Sequence, residues 1–130
     1  MQQAQLNKST SQSDRPWFLR TADSVIARHT PEAARWHYEH GLVWQAIEAV
    51  WRKTGQERYI QFAKSTVDQF IDPDGNIWSY RLDELNLDQI KPGTLLLRLY
   101  ELTGDQRYRQ AAVLLRDQLR HQPRTPSGGF

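Results

Sequence analysis

Apolar residues recur along this chain at helical spacing in successive stretches, and hardly anywhere at the alternating spacing of a strand. From Pro16 to about Arg28 the stripe is Phe18, Ala22, Val25 and Ile26, with Asp14 placed to cap the helix and Pro16 in its first turn. A second helix is expected from about Gly41 to Lys53, carrying Val43, Ile47 and Val50 beside Ala46 and Trp51. Gly55 then supplies the left-handed residue that stops it. The third starts near Gln56 and buries Tyr59, Phe62, Ala63, Val67 and Phe70. Asp72-Pro73-Asp74-Gly75-Asn76 is a turn by its chemistry. The stretch after it, through Ile77, Trp78 and Tyr80 to Asp88, has room for a short strand. A fourth helix is expected from around Pro92, with Leu95, Leu96, Leu99 and Tyr100, and Gly104 ends it. Asp105 caps a fifth, which buries Tyr108, Ala111, Ala112, Leu115 and Leu119 before Pro123 and Pro126 close the helical region.

The pattern repeats. Lys53-Thr54-Gly55-Gln56-Glu57-Arg58-Tyr59 returns as Leu102-Thr103-Gly104-Asp105-Gln106-Arg107-Tyr108, 49 residues on. Ile47, Val50, Trp51 and Ala63 align with Leu96, Leu99, Tyr100 and Ala112, and Asp68-Gln69 with Asp117-Gln118. The unit is helix, tight turn, helix and a longer return loop. Stacked hairpins of this kind form an open solenoid or a closed α/α toroid. The unit is longer than the ~34 residues of a tetratricopeptide repeat, and its long return loops favour the toroid. The period also sets Glu39 against Asp88, so Trp36-His37-Tyr38-Glu39-His40 and Asn86-Leu87-Asp88 precede matching helices and should meet at one rim. Aromatic faces beside carboxylates and imidazoles suit a sugar.

Composition narrows the classes. The 130 residues have a mean hydropathy of −0.75, and no apolar run approaches the ~20 residues of a bilayer helix. Residues 1–14 are polar and Gln/Ser-rich, expected to be a disordered leader and not a signal peptide; residues 15–130 form the domain. There are no cysteines, which fits a reducing compartment, and a cytoplasmic location is expected. Seventeen basic and fifteen acidic residues leave a net charge of +2. The two signs are interleaved along the helices, unlike a nucleic-acid footprint.

Each candidate site has an ordinary structural counterpart. His37 and His40, three apart, could share a helix face as metal ligands, but no third ligand is spaced to join them, and a hydrogen-bonding role is favoured. Asp72-x-Asp74-x-Asn76 begins like a calcium loop but lacks the glycine and glutamate that would complete one. Asp83, Glu84 and Asp88 form an acidic cluster in which Asp88 is as well suited to capping the helix after it. Of the five tryptophans, only Trp36 and Trp78 fall outside the periodic helices. No Walker loop, dinucleotide fingerprint or Gly-x-Ser-x-Gly elbow is present.

Arg35-Trp36-His37-Tyr38, the Thr-Gly turns, Leu87-Asp88-Gln89-Ile90-Lys91-Pro92-Gly93 and Pro123-Arg124-Thr125-Pro126-Ser127-Gly128-Gly129-Phe130 together resemble the unsaturated rhamnogalacturonyl hydrolases. These form glycoside hydrolase family 105 and are related to the unsaturated glucuronyl hydrolases of family 88. The resemblance implies an all-α (α/α)6 barrel, of which Pro16 to Phe130 would be an open N-terminal portion with two of six hairpins. It implies removal of a 4,5-unsaturated uronic acid from lyase-generated pectin oligosaccharides by hydration of an enol ether, without metal or other cofactor. It also implies that Asp88 contacts the unsaturated sugar and Tyr38 lines its pocket, with Trp36, His37 and His40 in the same motif. The general acid/base of the family lies in a Trp-Leu-Asp-Gly segment expected just beyond Phe130. A non-catalytic helical-repeat interaction module, or another α/α-toroid enzyme such as a sugar epimerase, are the rival readings. The resemblance does not separate rhamnogalacturonan from other unsaturated uronides, and oligomeric state is not legible. The 130 residues alone are expected to turn over no unsaturated disaccharide; measurable turnover by them would contradict that expectation.

Overall fold

The computed structural model describes residues 14–130, so the leader expected over residues 1–14 lies, apart from Asp14, outside the described residues. Five α-helices follow one another: α1 (Trp17–Arg28), α2 (Tyr38–Thr54), α3 (Glu57–Asp68), α4 (Thr94–Thr103) and α5 (Gln106–His121). Helices α2 and α3 make one antiparallel hairpin, α4 and α5 the next, and α1 packs on the first. Pro16, not Asp14, occupies the N-cap position of α1. Helix α2 begins earlier than its apolar stripe, at Tyr38, because His37 is extended and releases the chain directly into the helix.

The repeated heptad is a helix stop followed by a helix start. Gly55 and Gly104 both sit at φ +68°, and their N–H groups donate to Trp51 O at 2.7 Å and Tyr100 O at 2.8 Å. The Thr54 and Thr103 hydroxyls donate back to Val50 O and Leu99 O and accept from the N–H of Gln56 and Asp105. Asp105 caps α5 by accepting from Arg107 N at 3.0 Å.

The tyrosine that ends each heptad joins neighbouring units. Tyr59 of α3 donates to Asp23 of α1 at 2.7 Å, and Tyr108 of α5 donates to Asp68 of α3. Both rings are fully buried. Around them the core runs from α1 (Leu19, Ala22) through Ile47 to a larger cluster of Trp44, Ala63, Val67, Leu95, Leu96, Leu99, Ala111 and Leu115. The periodic stripe is only part of the buried face of α2. Its buried face is Gly41, Trp44, Ile47 and Glu48, while Ala46 is exposed and Val43, Val50 and Trp51 only partly covered. Glu48 survives burial because two guanidinium groups neutralise it: Arg98 of α4 at 2.8 Å and Arg52 at 3.1 Å. Gln118 is likewise buried, accepting from the Tyr80 hydroxyl at 2.6 Å and donating to Gln122.

The return loop holds no strand among the described residues. Ile71 and Ile77 make a single antiparallel bridge around the turn, and the rest is three 3₁₀ turns at Leu82–Glu84, Leu87–Gln89 and Lys91–Gly93. The Asp72 carboxylate accepts from Asp74 N, Asn76 N and Asn76 Nδ2, so the calcium-like stretch spends its first carboxylate on the turn itself. Among the described residues no helix is long and apolar enough to cross a membrane.

Burial, reinforced by the Asp68 hydrogen bond, pushes the Tyr108 hydroxyl up to about 12 from its ordinary 10. Its folded value lies above its unfolded one, so its contribution to stability is complete below pH 10 and disappears between pH 10 and 12. Tyr80, also raised to about 12 by burial and the Asp117 charge, acts in the same direction. Tyr108→Phe is expected to lower stability by about 1–3 kcal/mol at neutral pH and to flatten part of this alkaline decline in thermal melts. An unchanged melting temperature would refute the role of this bond.

Candidate functional site

The site begins with a buried tryptophan. Trp36, 2% exposed, sits with its ring centroid 6.0 Å from Trp44 and 5.7 Å from Phe70. Its indole N–H donates to the Gln89 carbonyl at 2.9 Å, which ties the approach to α2 to the loop that leads into α4. Trp36 is therefore a brace, with its indole N–H already engaged and its ring largely buried.

The residues flanking this brace come to one rim. His37 and Tyr38 lie at the N-terminus of α2 with ring centroids 4.7 Å apart, and Tyr38 is exposed. Opposite them, Asn86 Oδ1 accepts from the Asp88 backbone N–H at 3.0 Å and so caps the Leu87–Gln89 turn. The helix that follows, α4, has Gly93 at its N-cap and no side-chain cap, so Asp88 does not cap it; the Asp88 side chain stays 58% exposed, with Oδ2 3.6 Å from His37 Nε2. Two units 49 residues apart in sequence therefore meet at this rim through an imidazole and a carboxylate.

Close backbone contact holds the two sides together. A methyl group at Gly41 would lie 2.8 Å from Pro92 N and 2.9 Å from Pro92 Cα, so only glycine lets α2 approach the Lys91–Gly93 turn this closely. A methyl group at Gly93 would meet the movable end of the Leu115 side chain of α5, a softer restriction.

His40 makes different contacts. It accepts from the Arg35 backbone N–H at 3.3 Å and lies 6.4 Å from the rings of both His29 and Trp44. Burial, and then the neighbouring His29, hold its pKa below the usual histidine value, which keeps it neutral and accepting at neutral pH. His37 and His40 thus make separate contacts, and among the described residues no three His, Asp or Glu side chains gather as a metal set. Asp83 and Glu84 both face Arg81, at 2.8 and 3.9 Å, whose guanidinium holds the Asp83 carboxyl below its ordinary range.

Beside the rim a groove of about 690 Å³ is lined by Arg35, His37, Glu39 and His40 from the α2 entry and by Trp78, Ser79 and Gln89 from the loop before α4. Trp78 is 70% exposed here. Sequence reasoning paired Trp36 and Trp78 as the two tryptophans outside the helices, and the structure separates them into one brace and one open face. Gln89 and Gly41 had no sequence signal: what each does depends on a neighbour more than forty residues away.

A model of Glycosyl Hydrolase Family 88 matches residues 11–130. The chain belongs to that family. The solved structure of a family 105 glycoside hydrolase from C. acetobutylicum ATCC 824 is similar over 86% of this chain, at 37% sequence identity and a TM-score of 0.80. The family 88 chain spans 31% of the length of that enzyme. Its helical hairpins are thus those of an α/α-barrel glycoside hydrolase, and the rim formed by His37, Tyr38 and Asp88 lies on that scaffold.

Gly41→Ala is expected to force α2 away from Pro92, costing about 1–3 kcal/mol through overpacking and widening the His37–Asp88 approach. Calorimetry gives the first, and the NMR shifts of the His37 ring give the second. A variant unchanged in both would show that the contact is not what holds the rim.

Proposed function

We propose that the rim formed by Tyr38, His37 and Asp88 binds the 4,5-unsaturated uronic acid at the end of a lyase-generated oligosaccharide of the rhamnogalacturonan type. The observation that carries this reading is the convergence, across two hairpins of a family 88 chain, of an exposed carboxylate, an imidazole 3.6 Å from it and an exposed phenol. Asp88 accepts hydrogen bonds from the sugar, and His37 beside it orients the carboxylate. Tyr38, its hydroxyl held loosely by Glu39 at 3.4 Å, is available to the ring.

The reaction is hydration. The enol ether takes a proton at C4, which leaves an oxocarbenium ion at C5. Water adds there and gives up a proton; the resulting C5 hemiketal opens by breaking its bond to the ring oxygen, and the hemiacetal this leaves at C1 collapses to an aldehyde and expels the remaining sugar chain as an alcohol. The chemistry asks for one carboxyl group that gives a proton and then activates water, with a second anchoring the ring. Asp88 is assigned the anchoring role, and the proton donor is assigned to a part of the barrel outside these 130 residues. No cofactor takes part.

In the natural protein, loss of the double-bond absorbance of unsaturated rhamnogalacturonan disaccharide reports the reaction. Asp88→Asn is expected to lower kcat/KM by about 10–100-fold, the loss of a hydrogen bond to a charged group. A variant within twofold of wild type would remove Asp88 from the mechanism.

A further inference from the structure

We propose that the groove beside His37 is a second sugar subsite, which takes an acidic sugar unit beyond the unsaturated one, with Trp78 as its stacking platform and Arg35 as its carboxylate partner. The proposal rests on the preceding reading of the rim, because His37 is both a wall of the groove and the neighbour of Asp88. An oligosaccharide held at Asp88 leads past His37 into this space.

Trp78 exposes 70% of its surface yet is not loosely held. Its backbone N–H donates to Phe70 O at 2.7 Å, and its ring lies 6.2 Å from that of Phe70 at 37°. The next residue, Ser79, is at φ +66°, a left-handed conformation that a non-glycine residue rarely adopts. The loop thus spends backbone strain to hold an apolar ring face open to water, as a platform for a sugar ring requires. Across the groove, the Arg35 guanidinium makes no ion pair among the described residues. It is a cation fitted to a carboxylate.

Gln89 supplies the third observation. Its Oε1 is buried without a hydrogen-bond partner, while its Nε2 is held only by a long 3.4 Å contact to Ser79 O. A buried acceptor left unpaired is unfavourable, and a small turn of this weakly held amide would present it to a sugar hydroxyl. The volume, about 690 Å³, falls within the usual range of small-ligand sites. A stacking face, a cation with no ion pair among the described residues and an unpaired acceptor together fit a uronate better than an apolar peptide, and Glu39, which also lines the groove, is left to accept from a sugar hydroxyl.

The test compares unsaturated disaccharide with unsaturated tetrasaccharide as substrates of the natural protein. Trp78→Ala is expected to raise KM for the tetrasaccharide about tenfold more than for the disaccharide, with kcat little changed and Trp78→Tyr restoring most of the loss. Arg35→Gln is expected to do the same, and its effect to vanish when the internal carboxylates of the tetrasaccharide are reduced to alcohols. Equal changes at both lengths, or none at either, would overturn the subsite. If the protein does not act on unsaturated uronides at all, calorimetry with a saturated galacturonate-containing tetrasaccharide separates the two ideas. Binding that Trp78→Ala abolishes would keep the subsite while the functional reading falls, and no binding by wild type would overturn the subsite as well.

Discussion

The missing side chain at Gly41 is the constraint on which the rest of the site depends. It lets the first turn of α2 rest against Pro92, with less space than a methyl group needs. From that contact the chain runs backward from Pro92 through Gln89, whose carbonyl takes the Trp36 indole N–H, to Asp88. It also runs backward from Gly41 to Tyr38 and His37. The two short segments leave one contact in the same direction, so the imidazole and the carboxylate at their ends meet with no direct tether. Core packing at Trp36 and backbone packing at Gly41 are thus two fixed points of a small frame, and the polar groups occupy its open side.

The repeat explains how such a frame arises from sequence. In each unit a threonine and a left-handed glycine stop one helix and the following tyrosine buries itself at the start of the next. A hydroxyl placed there reaches back to the preceding unit, to Asp23 in one case and Asp68 in the other. Both tyrosine rings are fully buried, so a phenol left unsatisfied there would be costly. Hairpins therefore stack in one register, and stacking in register brings the loop that leads into one unit to the helix entry of its neighbour.

Much of this was legible from residues alone. The helix–turn–helix units, their glycine stops, the Asp105 cap and the shared rim of the two segments followed from period and turn chemistry, which are local properties. Whatever turned on a distant partner was not legible. The apolar stripe of α2 pointed to Val43 and Val50, but the helix buries Trp44 and Glu48, because Arg98 on α4 makes a buried carboxylate tolerable. The expected strand after Ile77 became 3₁₀ turns, since its single bridge to Ile71 has no further strand to extend along. Asn86 caps the turn that carries Asp88, and α4 starts after Gly93 with no side-chain cap, so the Asp88 carboxylate stays exposed. Trp36 and Trp78 look alike in sequence and differ wholly in exposure, because only one has Trp44 and Phe70 on both sides.

The central claim is that the rim between the α2 entry and the Asn86–Gly93 loop is where the unsaturated sugar binds. A crystal structure of the natural protein with an unsaturated rhamnogalacturonan disaccharide tests it most directly. The account predicts the unsaturated ring within hydrogen-bond distance, about 2.5–3.2 Å, of both the Asp88 carboxylate and the Tyr38 hydroxyl, with the saturated end directed past His37. A sugar seated elsewhere, with Asp88 and Tyr38 still solvated, would contradict it.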